Sequence, residues 1–388
     1  MTLKPERKAA FRFIVALGLV SLFADMTYEG ARSVGGPFLK ELGASATQVG
    51  IIAGFGEMIA AGLRFFSGRL IDRTRAYWTV AVLGYFLNLV AVPLLALAGN
   101  WQVAALLIIA ERTGKGLRGP AGDVLLSEST EVVGHGFGFG LHGAMDQAGA
   151  VLGPLLVTIA VARSHHFGPA FLWLGVPAIA ALTSLGFARF AQPKKAPSPA
   201  RLKDQKLPRV FWIYAGAAGL LALGFVDFPL LAYHFQDASL VKPEVIPLVY
   251  AGAMGTAGLT ALLFGRLFDR FGIAIMVLGV MISLLALPFG FLGGAFGVYV
   301  SAVCWATGVG AQDAILRAGI SQVVSMDKRG RAFGAFNAAY GVLWFLGSAT
   351  MGVLYDYSLF ALVIFGIAAQ LIAAALFFWL RRPLAAAR

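Results

Sequence analysis

Apolar residues in this chain come in long runs and not in alternation. Stretches of about twenty, enough to cross a hydrocarbon core roughly 30 Å thick, fall near 11–33, 47–67, 77–99, 101–128, 135–162 and 169–191. A second series follows near 211–235, 244–265, 273–293, 295–323, 331–355 and 358–380. The pattern predicts an all-α integral membrane protein of twelve transmembrane helices joined by short connections. The longest break, QPKKAPSPARLKDQKLPRV at 192–210, is rich in proline and lysine and has no apolar period. It reads as a solvated basic linker, dividing the chain into an N-terminal six-helix bundle, 1–191, and a C-terminal one, 211–388.

Composition agrees. Of 388 residues 59% are hydrophobic and 13% charged, against about 45–50% and about 25% in soluble domains. Collagen, coiled coil and disordered tail are excluded, and a single cysteine, Cys304, excludes a disulfide scaffold. A net charge of +12 suggests nucleic acid only until the basic residues are located. They cluster on one side of the expected membrane: Lys4, Arg7, Lys8 and Arg12; Arg69, Arg73 and Arg75; Arg189 to Arg209; Arg266 and Arg270; Lys328, Arg329 and Arg331; Arg381, Arg382 and Arg388. The other side holds Lys40, Arg163 and Lys242. This bias places both termini in the cytoplasm, and no contiguous basic stripe remains for nucleic acid. The basic N-terminus lacks a small-residue cleavage site, so no removable segment is expected. Minimal loops and the absence of Asn-x-Ser/Thr suit a bacterial or archaeal plasma (inner) membrane.

The two halves repeat each other. GRLIDRTR (68–75) recurs as GRLFDRFG (265–272), Phe23-Ala24-Asp25 recurs as Phe225-Val226-Asp227, and SESTEVVGHGFGFG (127–140) aligns without a gap on SQVVSMDKRGRAFG (321–334). Matching charges at matching offsets argue against chance. Duplicated bundles related by pseudo-two-fold symmetry suit a carrier that rocks two halves about a midplane site.

These residues carry a resemblance. Gly68, Leu70, Asp72 and Arg73, with Gly265, Leu267, Asp269, Arg270 and Gly272, are similar to the loop motif of the major facilitator superfamily of prokaryotic type, although Arg75 replaces its second glycine. Arg112-Thr113-Gly114-Lys115-Gly116 resembles the helix-four motif, with lysine in place of glutamine. Gly140, Gly149, Gly153 and Pro154 resemble part of the helix-five antiporter motif of drug exporters; Val157 and Thr158 stand where its closing glycines belong. The resemblance implies a secondary transporter working by alternating access. Asp72 with Arg73 and Asp269 with Arg270 would form a cytoplasmic gate, each carboxylate accepting from a helix N-terminus and a facing arginine.

Ionisable groups inside spans cost at least about 2.5–3.5 kcal/mol each. The first half carries ten: Asp25, Glu29, Arg32, Glu57, Arg64, Glu111, Arg112, Lys115, Arg118 and Asp146; the second carries Asp227, Asp313 and Arg317. Asp25, Glu29 and Arg32 share one face of the first helix; Glu111, Lys115 and Arg118 share one on the fourth; His142 and Asp146 share one on the fifth. Five acids against five bases in the first half demand buried ion pairs, with Glu111–Arg112 and Glu57–Arg64 the expected structural ones. A carboxylate in a dry site can take up and release a proton near neutral pH. Asp146 with His142, and Asp25 sharing a proton with Glu29, are therefore candidates for proton coupling. Arg112 is placed for substrate or relay work. Together these form the expected substrate and proton pathway, with protons as the coupling ion.

The leading expectation is proton-coupled export of a small organic solute. Uptake or exchange of an anionic metabolite, served by Arg32, Arg64, Arg112, Lys115 and Arg118, is the alternative. No zinc-binding, nucleophile-elbow or phosphate-loop motif occurs. Catalysis, cofactors and metals are accordingly not expected, and no obligate protein partner is implied beyond the bilayer, so the chain is expected to work as a monomer.

Overall fold

The computed structural model describes residues 5–191, 207–324 and 329–385. The linker residues 192–206 lie outside the described residues. Six helices come from the first half: α1 (Pro5–Glu41), α2 (Ala46–Thr74), α3 (Tyr77–Leu94), α4 (Trp101–Val133), α5 (His135–Ser164) and α6 (Gly168–Ala191). Eight follow: α7 (Arg209–Gly224), α8 (Phe228–Asp237), α9 (Val245–Phe271), α10 (Met276–Ser283), α11 (Ala286–Leu292), α12 (Gly294–Val323), α13 (Arg329–Tyr357) and α14 (Leu359–Ala385). No strand occurs among the described residues.

Local chemistry sets the boundaries. Ser45 caps α2 with its hydroxyl accepting from the Gln48 amide, while Gln48 Oε1 accepts from the Ser45 N–H in return. Two expected spans are broken. Pro288 has no N–H to return to Leu284, and a turn at 284–285 separates α10 from α11. The span 211–235 is interrupted at Phe225–Asp227, which are extended between α7 and α8. Pro229 opens the new helix, and Trp305 Nε1–H donates to the freed Val226 carbonyl at 2.9 Å.

Among the described residues ten segments are long and apolar enough to cross a membrane. Their outward faces carry bare apolar side chains such as Phe190, Leu97, Phe296 and Leu259, as expected of a surface that meets lipid. This is a multi-pass integral membrane protein.

Within the first half α1 packs on α5 and α6, and α2 and α3 pack on α4. Within the second, α9 packs on α12, and α7 on α13 and α14. The halves meet along α2–α13, α5–α9 and α1–α8. At the last seam backbones nearly touch: a Cβ on Gly36 would lie 1.9 Å from the Pro229 carbonyl oxygen. Core distribution gives the shape. At the end away from the termini, one apolar core runs through both halves, from Val34, Phe38 and Phe171 to Phe228, Tyr250 and Trp305. At the terminal end there are two separate cores, one around Phe13, Leu17 and Leu125, the other around Phe211, Tyr214 and Phe336. The molecule is fused at its far end and cleft at its terminal end.

Candidate functional site

Side chains that a lipid-facing helix would not tolerate line this cleft. Asp123 on α4, with Asp313 and Arg317 on α12, are exposed although each lies well inside its helix. Gly122, Gly140 and Gly143 have no atom within 4 Å of where a Cβ would sit.

Above the cleft the ionised groups gather into one cluster. Arg32 bridges Glu57 at 3.3 Å and Asp227 at 3.0 Å, and so ties α1 to α2 and to the second half. Asp227 also accepts from Trp344 Nε1–H at 2.8 Å and Ser348 Oγ–H at 3.1 Å. Arg112 lies 3.5 Å from Glu57 and 3.2 Å from Glu111, whose other oxygen accepts from Asn88 at 2.7 Å. Glu29 accepts from the Tyr250 hydroxyl at 2.5 Å. Arg118 stacks on Tyr85, 4.5 Å from the ring centroid, and sits 3.8 Å from Asp25. Lys115 lies 3.9 Å over the Tyr28 ring, with no carboxylate within ion-pair distance among the described residues. A pocket enclosing about 610 Å³ of empty space, its open mouth included, adjoins Arg32, Glu57, Glu111, Arg112 and Asp227 and is otherwise walled mainly by apolar residues.

Several sequence expectations change here. Glu57 does not pair with Arg64; it faces Arg32 and Arg112 because α2 leans on α4, and Arg64, two turns on, lies against Gly119 of α4. Asp25 and Glu29 diverge, one to Arg118 and the other to Tyr250. Asp146 on α5 joins Glu29 as a like-charged neighbour of Asp25. His142 contacts Ser21 Oγ at 3.1 Å, and Asp146 Oδ1 is buried without a hydrogen-bond partner. The charge balance shifts too. With Arg64 gone and Asp227 added, six acids (Asp25, Glu29, Glu57, Glu111, Asp146 and Asp227) face four bases (Arg32, Arg112, Lys115 and Arg118).

Of the motif glycines, Gly149 and Gly153 let α5 lie on α1: a Cβ there would be 2.2 Å from the Leu22 oxygen and 2.1 Å from the Met26 oxygen. Pro154 continues α5 beside them, whereas Gly140 opens on the cleft. The described part of the expected gate is not engaged. Arg73 and Asp269 make no ion pair among the described residues, Gly265 faces open space, and Arg270 stacks on its neighbour Phe271. Gly68 lies against Pro120, and the side chain of Asp72 is outside the described part.

The closed latch lies at the far end, where no sequence signal points to it. Lys40 on α1 pairs with Asp237 on α8, Asp237 accepts from Tyr355, Tyr355 contacts His234 Nδ1 at 2.9 Å, and Asp356 accepts from Thr47. Tyr250 is equally silent in sequence. Asn88 is not: it is the one amide in the apolar run of α3.

Known proteins share this fold. The Major Facilitator Superfamily model matches residues 17–238. The chain belongs to the Major Facilitator Superfamily. An uncharacterized protein of Mycobacterium tuberculosis is 39% identical over 385 residues, covering 97% of this chain and 94% of its own. An uncharacterized MFS-type transporter of Methanocaldococcus jannaschii is 24% identical over 372 residues, 89% of each chain. Among solved structures, the nucleoside transporter NupG superposes with a TM-score of 0.70 at 12% identity, over 96% of this chain and 98% of that one. The peptide transporter POT in complex with sulfate superposes with 0.76 at 12% identity, over 97% of each. At such identities the likeness is one of fold. The superfamily assignment makes this chain a secondary transporter, and the charged cluster lies where its two halves meet.

Proposed function

We propose that this transporter exports a small organic solute in exchange for protons by alternating access, and that it does so as a monomer in the plasma membrane of a prokaryote. Twelve crossings follow from the ten apolar segments once α9 is separated from α10–α11 and the charge-rich α4 is counted. They form two six-span bundles, 1–191 and 211–388, with termini and linker in the cytoplasm. The far end is then the outer face, and the cleft opens inward.

The observation that carries the reading is the excess of acids over bases in the cluster, which includes one buried carboxylate oxygen without a hydrogen-bond partner, Asp146 Oδ1. Unpaired buried charge is costly, so surplus carboxylates hold protons. Asp25, 3.8 Å from Arg118, and Asp146 are the exchange site. Since α1, α4 and α5 each contribute one of these groups, the proton's arrival changes how they pack.

Reconstitution into proteoliposomes loaded with a pH-sensitive dye tests this. Under antiport, solute leaving the lumen acidifies it; symport makes it alkaline. Asp146→Asn abolishes the pH change. A transport rate independent of pH across the neutral range overturns the proton role.

A further inference from the structure

The two long seams between the halves do not run equally far. Along α2–α13 the contact covers most of both helices. A Cβ on Gly352 would lie 2.7 Å from the Ala46 oxygen, and one on Gly50 2.3 Å from the Ser348 oxygen. Toward the terminal end, one on Gly341 would lie 2.9 Å from the Ala61 Cβ, and one on Gly334 2.3 Å from the Phe65 ring. Along α5–α9 only the far part is joined. Gln147 Nε2–H donates to the Met254 carbonyl at 2.5 Å, and a Cβ on Gly258 would lie 2.8 Å from the Gln147 Cγ. Helical spacing carries the same two stripes on toward the terminal end, through Ala144, Gly143 and Gly140 of α5 and through Leu262 and Gly265 of α9. There neither stripe has a partner. No atom lies within 4 Å of a Cβ on Gly140, Gly143 or Gly265, Ala144 is exposed, and Leu262 is 64% exposed. The cleft is therefore shut along α2–α13 and split open between α5 and α9. None of these five split-lining residues is ionisable, whereas the cleft behind the split carries Asp123, Asp313 and Arg317.

We propose that the exported solute is an amphipath, an apolar chain under a polar head, and that it enters sideways from the inner leaflet through the split between α5 and α9. This rests on the alternating-access reading. A wholly polar solute reaches the cleft through its mouth and needs no gap in the wall at hydrocarbon depth. An amphipath already gathers in the leaflet, its head among the headgroups and its chain among the lipid tails. Sliding along the split, it keeps the chain against apolar and small residues while the head passes into the charged cleft. Neither end is left in surroundings that cost it free energy. The glycines give the chain its width. When the two stripes come together, as they already do from Gln147 outward, small residues let the helices close tightly and the chain is displaced. The continuous α2–α13 seam is the fixed edge of that movement.

Nitroxide labels in lipid nanodiscs test this, in a Cys304→Ser background. Single labels on Gly143→Cys and Leu262→Cys are expected to collide more with oxygen, which concentrates in hydrocarbon, than with a water-confined nickel chelate. A label on Gly122→Cys, inside the cleft, is expected to show the reverse. Paired labels on Phe139→Cys and Arg266→Cys then span the split, and a pair on Phe66→Cys and Ala338→Cys spans the α2–α13 side. Each head is offered with and without a chain: decanoate and acetate, decyltrimethylammonium and tetramethylammonium, decyl maltoside and maltose. At least one chain-bearing probe is expected to shorten the distance across the split, its chainless counterpart to leave it unchanged, and the α2–α13 distance to stay fixed. The proposal is overturned if nickel prevails at Gly143→Cys and Leu262→Cys, or if the α2–α13 distance shortens as much as the other. It is also overturned, with alternating access left standing, if a chainless probe matches its chain-bearing partner or if pH alone moves the split. If neither distance changes under any probe or pH, the carrier reading itself fails.

Discussion

Asp227→Asn separates two kinds of contribution within one residue. The carboxylate is 2% exposed and accepts from Arg32 of the first half and from Trp344 and Ser348 of its own. A hydrogen bond to a charged group contributes about 1.5–3 kcal/mol. Only the bond from Arg32 breaks when the far end opens, because α8 and α13 move together. Losing it shifts the balance between conformers by about 1.5–3 kcal/mol, roughly ten- to a hundredfold at about 1.4 kcal/mol per decade. The intra-half bonds lower stability in every conformer instead. Spin labels on Gly99→Cys and Tyr357→Cys, both exposed at the far end, read the first effect, and thermal unfolding in detergent reads both. Asp227→Asn is expected to lengthen the labelled distance and lower the melting temperature; Ser348→Ala is expected to lower the melting temperature alone. If Asp227→Asn leaves the distance distribution unchanged, or Ser348→Ala moves it as far, the division between latch and scaffold is wrong.

Other substitutions test the remaining contacts. Glu57→Gln removes the shared partner of Arg32 and Arg112, and is expected to cost about 3–5 kcal/mol, whereas Arg64→Gln is expected to leave the unfolding temperature nearly unaltered; equal losses would restore the Glu57–Arg64 pair. Gly153→Leu forces a side chain into the α1 backbone and is expected to abolish folded, monodisperse protein on size exclusion, while Gly140→Leu is tolerated. Tyr250→Phe strips Glu29 of its hydroxyl donor, at about 1.5–3 kcal/mol, visible as a lower melting point with the fold retained by circular dichroism. Below the range in which carboxylates titrate, Asp237 loses its charge and its hold on Lys40 and Tyr355. Acidification is accordingly expected to lengthen the far-end distance, and Asp237→Asn to lengthen it already at neutral pH and to shrink the further change on acidification.

The architecture is legible in the sequence because a bilayer leaves few choices: apolar runs, loop charges and the repeated GRL-x-DR segments carry it almost alone. The membership of the charged cluster is legible for the same reason, since a costly residue in an apolar run announces itself. Its pairings are not. Helical spacing places Glu57 and Arg64 on one stripe, but it carries no information on the rotation of α2 against α4, which turns Glu57 toward Arg32 and Arg112. Nor does it show which neighbour a given acid meets across a seam: spacing matches Asp25 with Glu29 on its own helix, and packing matches it with Arg118 on α4. The far-end latch is illegible for another reason. Lys40, Asp237 and Tyr355 sit at helix ends, where polar residues are ordinary.

The single core at the far end has a thermal consequence. Whenever that end opens, aromatic surface including Phe38, Phe228 and Tyr250 becomes wetted, and exposure of apolar area raises heat capacity. The two conformers thus differ in heat capacity, and their ratio follows a curve and not a straight line in a van 't Hoff plot. A carrier built this way has its cycling speed tuned by the warmth of its surroundings through water, quite apart from any change in the lipid.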